Sequence, residues 1–529
     1  MQTAIAVQSQ KPRGIQPIAL RPVRALLFLA ATLLMAFPIG AQFAPPLQPQ
    51  TTQAVQLPLS GRTSESNGTV KATESPIAGL TNSVNTLNSS VAVSGVYSGS
   101  TPSTAQMPFS GALGFLEAIR RALAYNLGET NATQAVRQAE GQAHAMRSVL
   151  LPNFNGTVTE DAQTTDLRAL GFRSTVIPFP EVIGPFNYVD FRAHLTQTVM
   201  DFTAINNYRA TSDVTRANRY SAEDARDLIV LAVGGAYLQT SAAKARLASE
   251  QAQVAAANAV YQQSVQQLSR GLIAKVDADR NEVQVLTEQQ RLLSLQNDFA
   301  KQKINLARMI GLPPNDHYEI VDEIPYAPAG PLTIEDALTQ AYQHRADLKA
   351  AKAQMQAAER SRTAARAEQY PSLSINADYG GIGVNPSQLQ TTFTAVASLK
   401  IPLWQGGRAQ ADVEQADAAF NQRRAEYEDL KGQIESDVRS AFLDLTAAGS
   451  QVEVAQRNLQ VSREAAELTH QKLEAGVSTT VDYTQAEQAV TTAEFDLINA
   501  VFAHNIAKLS LARAIGRAAD ALPQFLKLP

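Results

Sequence analysis

Cysteine is absent from this chain of 529 residues. Its absence excludes a disulfide framework, a thiolate nucleophile and zinc bound by cysteines, and it argues against a lipid attached to an N-terminal cysteine. The charges also lack a dominant sign, because 45 Lys and Arg residues are balanced by 49 Asp and Glu residues. A nucleic-acid-binding protein would normally carry a basic patch and a high pI, so we predict no nucleic-acid partner.

Sequence motifs of enzymes are lacking as well. The six histidines lie far apart, and the chain has no HExxH zinc motif, no P-loop and no GxSxG nucleophile turn. Gly406 and Gly407 form an isolated glycine pair, which is typical of a turn and not of a phosphate-binding loop. We therefore predict that the protein is not an enzyme and that it uses neither a cofactor nor a metal.

Long apolar runs are scarce, and the clearest one lies near the N-terminus. Basic residues precede an apolar run over residues 25–39, which ends in the small residues Gly40 and Ala41. This pattern predicts a signal peptide over residues 1–41, and the alternative is an anchor that stays attached. No later stretch reaches the roughly 20 apolar residues of a transmembrane helix. If the mature protein spans a membrane, it must do so as a closed β-barrel.

Residues 42–108 are rich in Ser, Thr, Asn, Gln, Pro and Gly and carry few charges. Such a composition buries too little apolar surface to offset the conformational entropy that ordering would cost. We predict that these residues form a flexible, low-complexity periplasmic segment.

The remainder of the chain is a tandem duplication. Leu113–Leu123 matches Leu332–Tyr342 at an offset of 219 residues, and Gly271–Asp277 matches Gly476–Asp482 at an offset of 205. A nearly constant offset over so long a distance indicates two copies of one structural unit. The predicted segments are repeat 1 (109–321), a Pro-rich linker (322–331), repeat 2 (332–518) and a C-terminal tail (519–529).

The pattern in each copy predicts, in this order, one helix, two strands, a very long helix and a closing helix. Apolar and polar residues alternate over about 8 to 12 residues in the strands, which indicates one apolar and one polar face. A helix of 67 residues would be roughly 100 Å long, and the two shorter helices of a copy together match that length. The predicted helices are 113–150, 204–270 and 276–310, and then 333–369, 408–475 and 481–515.

Two copies supply four strands, which are too few to close a barrel in a membrane. Because an open sheet edge is not tolerated in lipid, other chains must complete the barrel, and a trimer would supply twelve strands. The polar strand faces carry Arg192, His194, Asp378 and Lys400, which we expect to line a water-filled barrel lumen. An ordinary β-sandwich is the alternative, but it would not explain helices of this length.

Several motifs occur in the same order in both copies. They include the helix starts LEAIRRALAYN and IEDALTQAYQH, the strand starts LLPN and YPSL, and the turn LKIPLWQGGRAQAD. The glycine turns at 268–277 and 473–482 complete the set. From Leu113 to Ala518 the sequence resembles the TolC-like outer-membrane efflux family. The resemblance implies a mainly α fold with a small β part: a homotrimer with a twelve-strand outer-membrane barrel on a periplasmic α-helical barrel.

The resemblance also implies functional residues at the two glycine turns. The tips that would contact a periplasmic adaptor are Leu268, Gly271, Val276, Asp277, Leu473, Gly476 and Val481. Asp482 and Gln485 match the positions that narrow the periplasmic aperture, where three copies of an acidic residue would form a ring that favours cations. Two simpler interpretations remain open: the glycines serve only the turns, and Asp482 serves only the helix dipole.

The implied function is a passive exit duct of an efflux or type I secretion system in the outer membrane, with a large periplasmic part. Its partners would be outer-membrane lipid, a periplasmic adaptor and an inner-membrane pump of the RND or ABC class. The alternative is a periplasmic adaptor or a coiled-coil structural protein without a pore. Adaptors usually carry one helical hairpin and lack alternating strands inside a helical repeat.

Overall fold

The computed structural model describes most of both repeats and part of the segment that precedes them. The described residues are 68–77, 86–101, 109, 111–167, 180–313, 317–321, 326–328, 330, 332–475 and 477–519. The predicted signal peptide (1–41) lies outside them, as do most of the linker (322–331) and of the C-terminal tail (519–529).

Eight strands and eight α-helices are formed by the described residues. The strands are β1 (Val70–Ile77), β2 (Thr86–Val93), β3 (Ala112–Leu113), β4 (Asn153–Asp166), β5 (Val182–Met200), β6 (Glu319–Ile320), β7 (Ser372–Gly383) and β8 (Gln390–Lys400). The helices are α1 (Phe115–Tyr125), α2 (Leu127–Ser148), α3 (Phe202–Ser269), α4 (Lys275–Met309), α5 (Ile334–His344), α6 (Ala346–Ala367), α7 (Arg408–Glu474) and α8 (Thr480–Ala514).

Of the described chain, a strand unit comprises residues 155–194 and 378–394. It contains parts of a four-stranded sheet with the order β4-β5-β7-β8. Two strands per copy were predicted, and each copy contributes two strands to this sheet, but β4 and β5 are longer than expected, with 14 and 19 residues. Most side chains of β4 and β8 are exposed on the single chain, so this sheet has almost no core of its own.

The second unit contains all the helices. The long helix α3 packs against both α2 and α4, and the long helix α7 packs against both α6 and α8. Contacts of α3 with α6 and α8 join the two copies. This confirms the prediction that one continuous helix in each copy lies beside two shorter ones.

Helix α3 is also the one helix among the described residues that is long and apolar enough to cross a membrane. However, 67% of its most apolar window is buried inside the protein. Ile229, Val233 and Tyr237 from this part of α3 belong to the main core cluster. The Tyr237 ring meets Phe115 edge-to-face at 5.3 Å. The apolar residues of α3 therefore form the core of the helical unit.

The prediction of one uninterrupted helix over 113–150 is wrong, because the chain breaks at Asn126 between α1 and α2. Asn126 is extended and completely buried. Its side chain accepts a hydrogen bond from Gly128 N at 2.8 Å and donates to the carbonyl oxygens of Tyr97 and Met309. At the break, the Asn126 side chain caps the start of α2 and, through its bond to the Met309 carbonyl, also holds the end of α4.

The helix predicted over 333–369 is broken at the matching position, Arg345, between α5 and α6. Here the guanidinium forms ion pairs with Asp347 at 2.6 Å and Asp437 at 3.0 Å. Gly516 follows the end of α8 with a φ of +72°, and a Cβ added there would lie 2.7 Å from the Arg345 backbone. The break in copy 2 thus seats the end of α8 against the backbone of Arg345.

Within the predicted flexible segment (42–108), residues 68–77 and 86–101 form an ordered hairpin and a short 3₁₀ helix (Gly95–Ser98). β1 and β2 pair in antiparallel fashion and pack against α3 and α8. The Val91 side chain packs directly on Gly235, since a Cβ added at Gly235 would lie 2.5 Å from Val91 Cγ2. Tyr97 of the 3₁₀ helix is buried as well. A few apolar residues suffice here because the helices supply the other side of the interface.

We expect Gly516→Ala to destabilise the protein by about 1–3 kcal/mol, because alanine is strained at this φ and its Cβ would meet the Arg345 backbone. Chemical denaturation of the purified protein, followed by circular dichroism, measures the change. The matched control is Gly432→Ala in α7, where an added Cβ meets nothing within 4 Å. This control should be neutral or stabilising by up to about 1 kcal/mol. Equal losses in both variants would contradict the strain argument.

Candidate functional site

The first glycine turn joins α3 to α4 and closes the helix end in a standard way. Gly271 adopts a φ of +72°, and the backbone N–H of Leu272 donates to the carbonyl of Gln267 at 2.9 Å. A left-handed residue combined with this bond satisfies the last carbonyls of the helix and favours glycine. Nothing lies within 4 Å of an added Cβ at Gly271, so the glycine is required by the backbone and not by crowding.

The second turn, between α7 and α8, repeats the hydrogen bond 205 positions later. Val477 N donates to the carbonyl of Lys472 at 2.8 Å. The predicted contact residue Gly476 lies outside the described residues. The repeated bond indicates that both copies use the same kind of turn.

Apolar side chains at the two turns are exposed. Val276 is 59% exposed and Val477 is 78% exposed, with Leu272 and Val481 also open to solvent. Leu268 and Leu473 are instead half-buried within their hairpins. Leu272 and Val477 were missed as contact candidates, although both directly follow the glycine of their turn. Exposed apolar residues at the end of a hairpin are suited to contact another protein.

Asp277 and Asp482 occupy equivalent positions in the two copies, but their surroundings differ. Asp482 forms a capping box with Thr479, whose backbone N–H donates to the carboxylate at 3.0 Å, while the Thr479 hydroxyl accepts from Asp482 N at 3.2 Å. Asp277 is half-buried and lies 3.6 Å from Arg280. At the start of α4, Ala274 provides no side-chain cap. The two tips therefore differ in N-terminal capping: the start of α8 has a capping box, and the start of α4 has no side-chain cap.

The Asp482 carboxylate is exposed but well supplied with hydrogen bonds. Donors on Thr479 and the Ser478 hydroxyl hold the pKa of Asp482 below its usual range. Gln485, the second aperture candidate, is exposed in the first turns of α8. The structure supports the capping role for Asp482 and leaves its charge available at the surface.

On the strand unit, Arg192, His194 and Asp378 are held by neighbouring polar groups. Arg192 pairs with Asp190 at 2.8 Å and with Asp378 at 2.5 Å. His194 Nε2 lies 3.0 Å from the Thr157 hydroxyl. Because alternate residues of β5 share one face, these contacts define a charged face of the sheet. The fourth predicted lumen residue, Lys400, ends β8 and is exposed.

Within the described ranges, no group of three or more His, Asp or Glu side chains is arranged to hold a metal ion. The polar groups instead form helix caps, ion pairs and an exposed strand face.

A family model described as "Outer membrane efflux protein" matches residues 118–312 and 337–517. The two matched ranges fall in the two predicted repeats and together cover more than half of the chain. The chain belongs to the outer membrane efflux protein family. This membership confirms the resemblance seen in the paired sequence motifs.

Several named members of the efflux family are similar in sequence. The outer membrane protein OprJ of Pseudomonas aeruginosa is 26% identical over 398 residues, which cover 72% of this chain and 79% of OprJ. The cobalt-zinc-cadmium resistance protein CzcC of Cupriavidus metallidurans is 26% identical over 206 residues, 39% of this chain and 47% of CzcC. The name of CzcC records resistance to cobalt, zinc and cadmium, whereas the name of OprJ records no cargo.

Solved structures of efflux channels share the fold. The CmeC outer membrane channel of Campylobacter jejuni superposes with a TM-score of 0.67 at 17% identity, over 78% of this chain and 89% of CmeC. VceC of Vibrio cholerae gives 0.65 at 17% identity, over 76% of this chain and 96% of VceC. These likenesses confirm the predicted fold class.

The family and the fold together identify the protein as an efflux channel of the outer membrane with a large periplasmic helical part. The predictions of an efflux duct and of an outer-membrane location are confirmed. Members of the family are trimeric exit ducts of tripartite systems. Both the family and the fold are those of passive channels. The alternative of an adaptor or a pore-free structural protein is not supported.

Proposed function

We propose that three copies of this chain assemble into a passive exit duct for a tripartite export system. The strands would close a twelve-strand barrel in outer-membrane lipid, and the helices would form a tube that docks at its tips to a periplasmic adaptor. The adaptor would connect the duct to an inner-membrane pump of the RND or ABC class. The observation that carries the proposal is a pair of exposed apolar stripes on the outer helices.

The first stripe runs along α4. Val283, Leu286 and Leu293 are between 57% and 66% exposed on the single chain. Leu286 and Leu293 are seven residues apart, and Val283 lies one turn before Leu286, which is the spacing of a helix-packing seam. Since α4 packs against α3 on its other side, the stripe has room for a further helix.

The second stripe runs along α7. Val454, Val461 and Leu468 follow one another at intervals of seven residues and are 70%, 47% and 58% exposed. The opposite side of α7 packs against α8 of the same chain. The helix order α4-α3-α8-α7 therefore ends in an apolar stripe on both sides.

Two different surfaces at opposite ends of a row of helices favour a head-to-tail assembly. Contact of α4 of one copy with α7 of the next would bury both stripes, and a closed ring leaves no stripe exposed. Three copies would also supply the twelve strands that the sheet needs. In this ring Arg192, His194, Asp378 and Lys400 would line the barrel lumen, because charged side chains are costly on a lipid-facing surface.

Leu293→Lys should prevent trimer formation, because each of the three contacts would bury a charge in place of an apolar side chain worth about 1.5–3 kcal/mol. Light scattering of the purified, detergent-solubilised protein measures the mass. Leu293→Met, which keeps the position apolar, should remain trimeric. Val461→Lys tests the other stripe in the same way. Full trimers in both Lys variants would sink the proposed contact.

Leu272→Glu combined with Val477→Glu should abolish export while leaving trimer mass and conductance unchanged. These side chains lie at the turns and are among the most exposed apolar groups of the described chain. Substitution at Gly271 would be less informative, because its positive φ makes the turn itself depend on glycine. The matched control, Leu272→Met with Val477→Ile, should export normally. Normal export by the double Glu variant would exclude the tips as the adaptor contact.

We also propose that three Asp482 carboxylates form a ring at the periplasmic aperture, with Gln485 near it. Asp482→Asn should lower cation preference in planar-bilayer recordings, while the asparagine oxygen can still accept the Thr479 hydrogen bond. The matched control is Asp277→Asn, the equivalent residue of copy 1, which should leave selectivity unchanged. Identical selectivity in wild type and Asp482→Asn would leave this residue with the capping role alone.

A further inference from the structure

A buried pair of carboxyl groups lies between α3 and α4, away from the sites described above. The side chain of Glu250 on α3 is 0% exposed, and that of Glu288 on α4 is 8% exposed. Neither carboxyl oxygen of Glu250 meets an N–H or hydroxyl donor among the described residues, and its one hydrogen-bond contact, with the Glu288 carboxyl group, requires a proton on one of the two. An ionised carboxylate in such a position is strongly disfavoured, so the neutral form is favoured at Glu250.

One guanidinium group faces both carboxyl groups. Arg291 Nη1 lies 3.2 Å from Oε2 of Glu288 and 4.0 Å from Oε2 of Glu250. Gln284 donates a second hydrogen bond to Glu288 at 2.5 Å. Both donors are thus directed at Glu288 and not at Glu250. Glu250 is left with one ion-pair contact beyond hydrogen-bond length, to a side chain that is 48% exposed.

The other charged groups around the pair have partners of their own. Glu494 of α8 pairs with Arg463 of α7 at 2.8 Å and accepts a hydrogen bond from Ser249 at 2.6 Å. Arg246, one turn before Glu250, donates to Asn499 of α8. Glu487 and Tyr483 of α8 line a cavity together with Glu288. Within the described chain, Arg246, Glu487 and Glu494 give Glu250 no hydrogen bond, which leaves Glu288 as its hydrogen-bond partner.

The pair occupies an internal position of the helical unit. α3 is flanked by α4 and α8 of the same chain, whereas the apolar stripes lie on α4 and α7. The carboxyl groups therefore lie in a contact within one chain and not at the proposed junction between copies. Any effect of their charge acts first on the packing of the α3–α4 hairpin.

We propose that Glu250 and Glu288 form a proton-dependent lock on the α3–α4 hairpin. When the pair holds one proton, one carboxyl group is neutral and the other is charged. Arg291 then balances the single negative charge in the contact between α3 and α4. Loss of that proton leaves two like charges in a buried contact, and the packing between α3 and α4 loosens. The ligand of this site is thus a proton, and the lock does not depend on the proposed export function.

The direction of the pH response follows from the surroundings of Glu250. Burial, reinforced by Glu288 and opposed by Arg291, raises the pKa of Glu250 to about 7. A carboxyl group whose pKa is raised in the folded state binds its proton more tightly when the seam is closed than when it is open. The lock is therefore strongest at pH values below the ordinary Glu range and is lost as the pH rises to about 7.

Amide hydrogen exchange of the full-length protein in detergent, followed by mass spectrometry between pH 5.5 and 8.5, tests the lock. After correction for the intrinsic pH dependence of exchange, peptides around Glu250 and Glu288 should open about tenfold more often at pH 8 than at pH 6. Glu250→Gln, which imitates the protonated side chain, should remove this response. The matched control Glu282→Gln, at an exposed position of α4, should keep it.

Two further variants test the charge balance even where Glu250→Gln folds poorly. Glu288→Gln should move the midpoint of opening to lower pH, and Arg291→Gln should move it to higher pH. Midpoints that shift together, a response that survives in Glu250→Gln, or exchange without any transition would overturn the proposal. A response that disappears on chelation of divalent cations would assign the carboxyl groups to metal binding instead and would also overturn it.

Discussion

A four-stranded sheet that enters lipid has two edges whose backbone groups need partners, and this requirement governs the rest of the molecule. The order β4-β5-β7-β8 leaves β4 and β8 at those edges. The helical unit has the same incompleteness, since α4 and α7 each carry an apolar stripe that the single chain does not cover. The proposed head-to-tail assembly would meet both needs with one partner, a second copy of the chain.

The two copies keep their helix breaks at matching positions, although different side chains stabilise the two breaks. At matching breaks, copy 1 has a neutral capping amide at Asn126, and copy 2 has the guanidinium of Arg345. Gly311 and Gly516, at offset 205, both end a helix with positive φ and both press against the break. The shared requirement is a bend that receives a helix end, and two different side chains meet it.

The long helices, the two strands per copy and the glycine turns could be predicted because each depends on local pattern and length. The breaks at Asn126 and Arg345 could not, since both are stabilised by residues distant in sequence, such as Met309 and Asp437. The β1–β2 hairpin was hidden by its polar composition. At the tips the sequence located the turns but not the burial of Leu268 and Leu473. The burial of Glu250 could not be predicted, because the sequence of a helix rich in polar residues does not show which glutamate a neighbouring helix will cover.

The capping box of Thr479 and Asp482 has no counterpart at the start of α4, where Ala274 offers no side-chain oxygen. Around a threefold ring, this difference would alternate stiff and soft hairpins at the mouth of the tube. A mouth built in this way has a preferred sequence of movement. The α3–α4 hairpins would move first, while the α7–α8 hairpins, which carry Asp482, would hold the aperture in place.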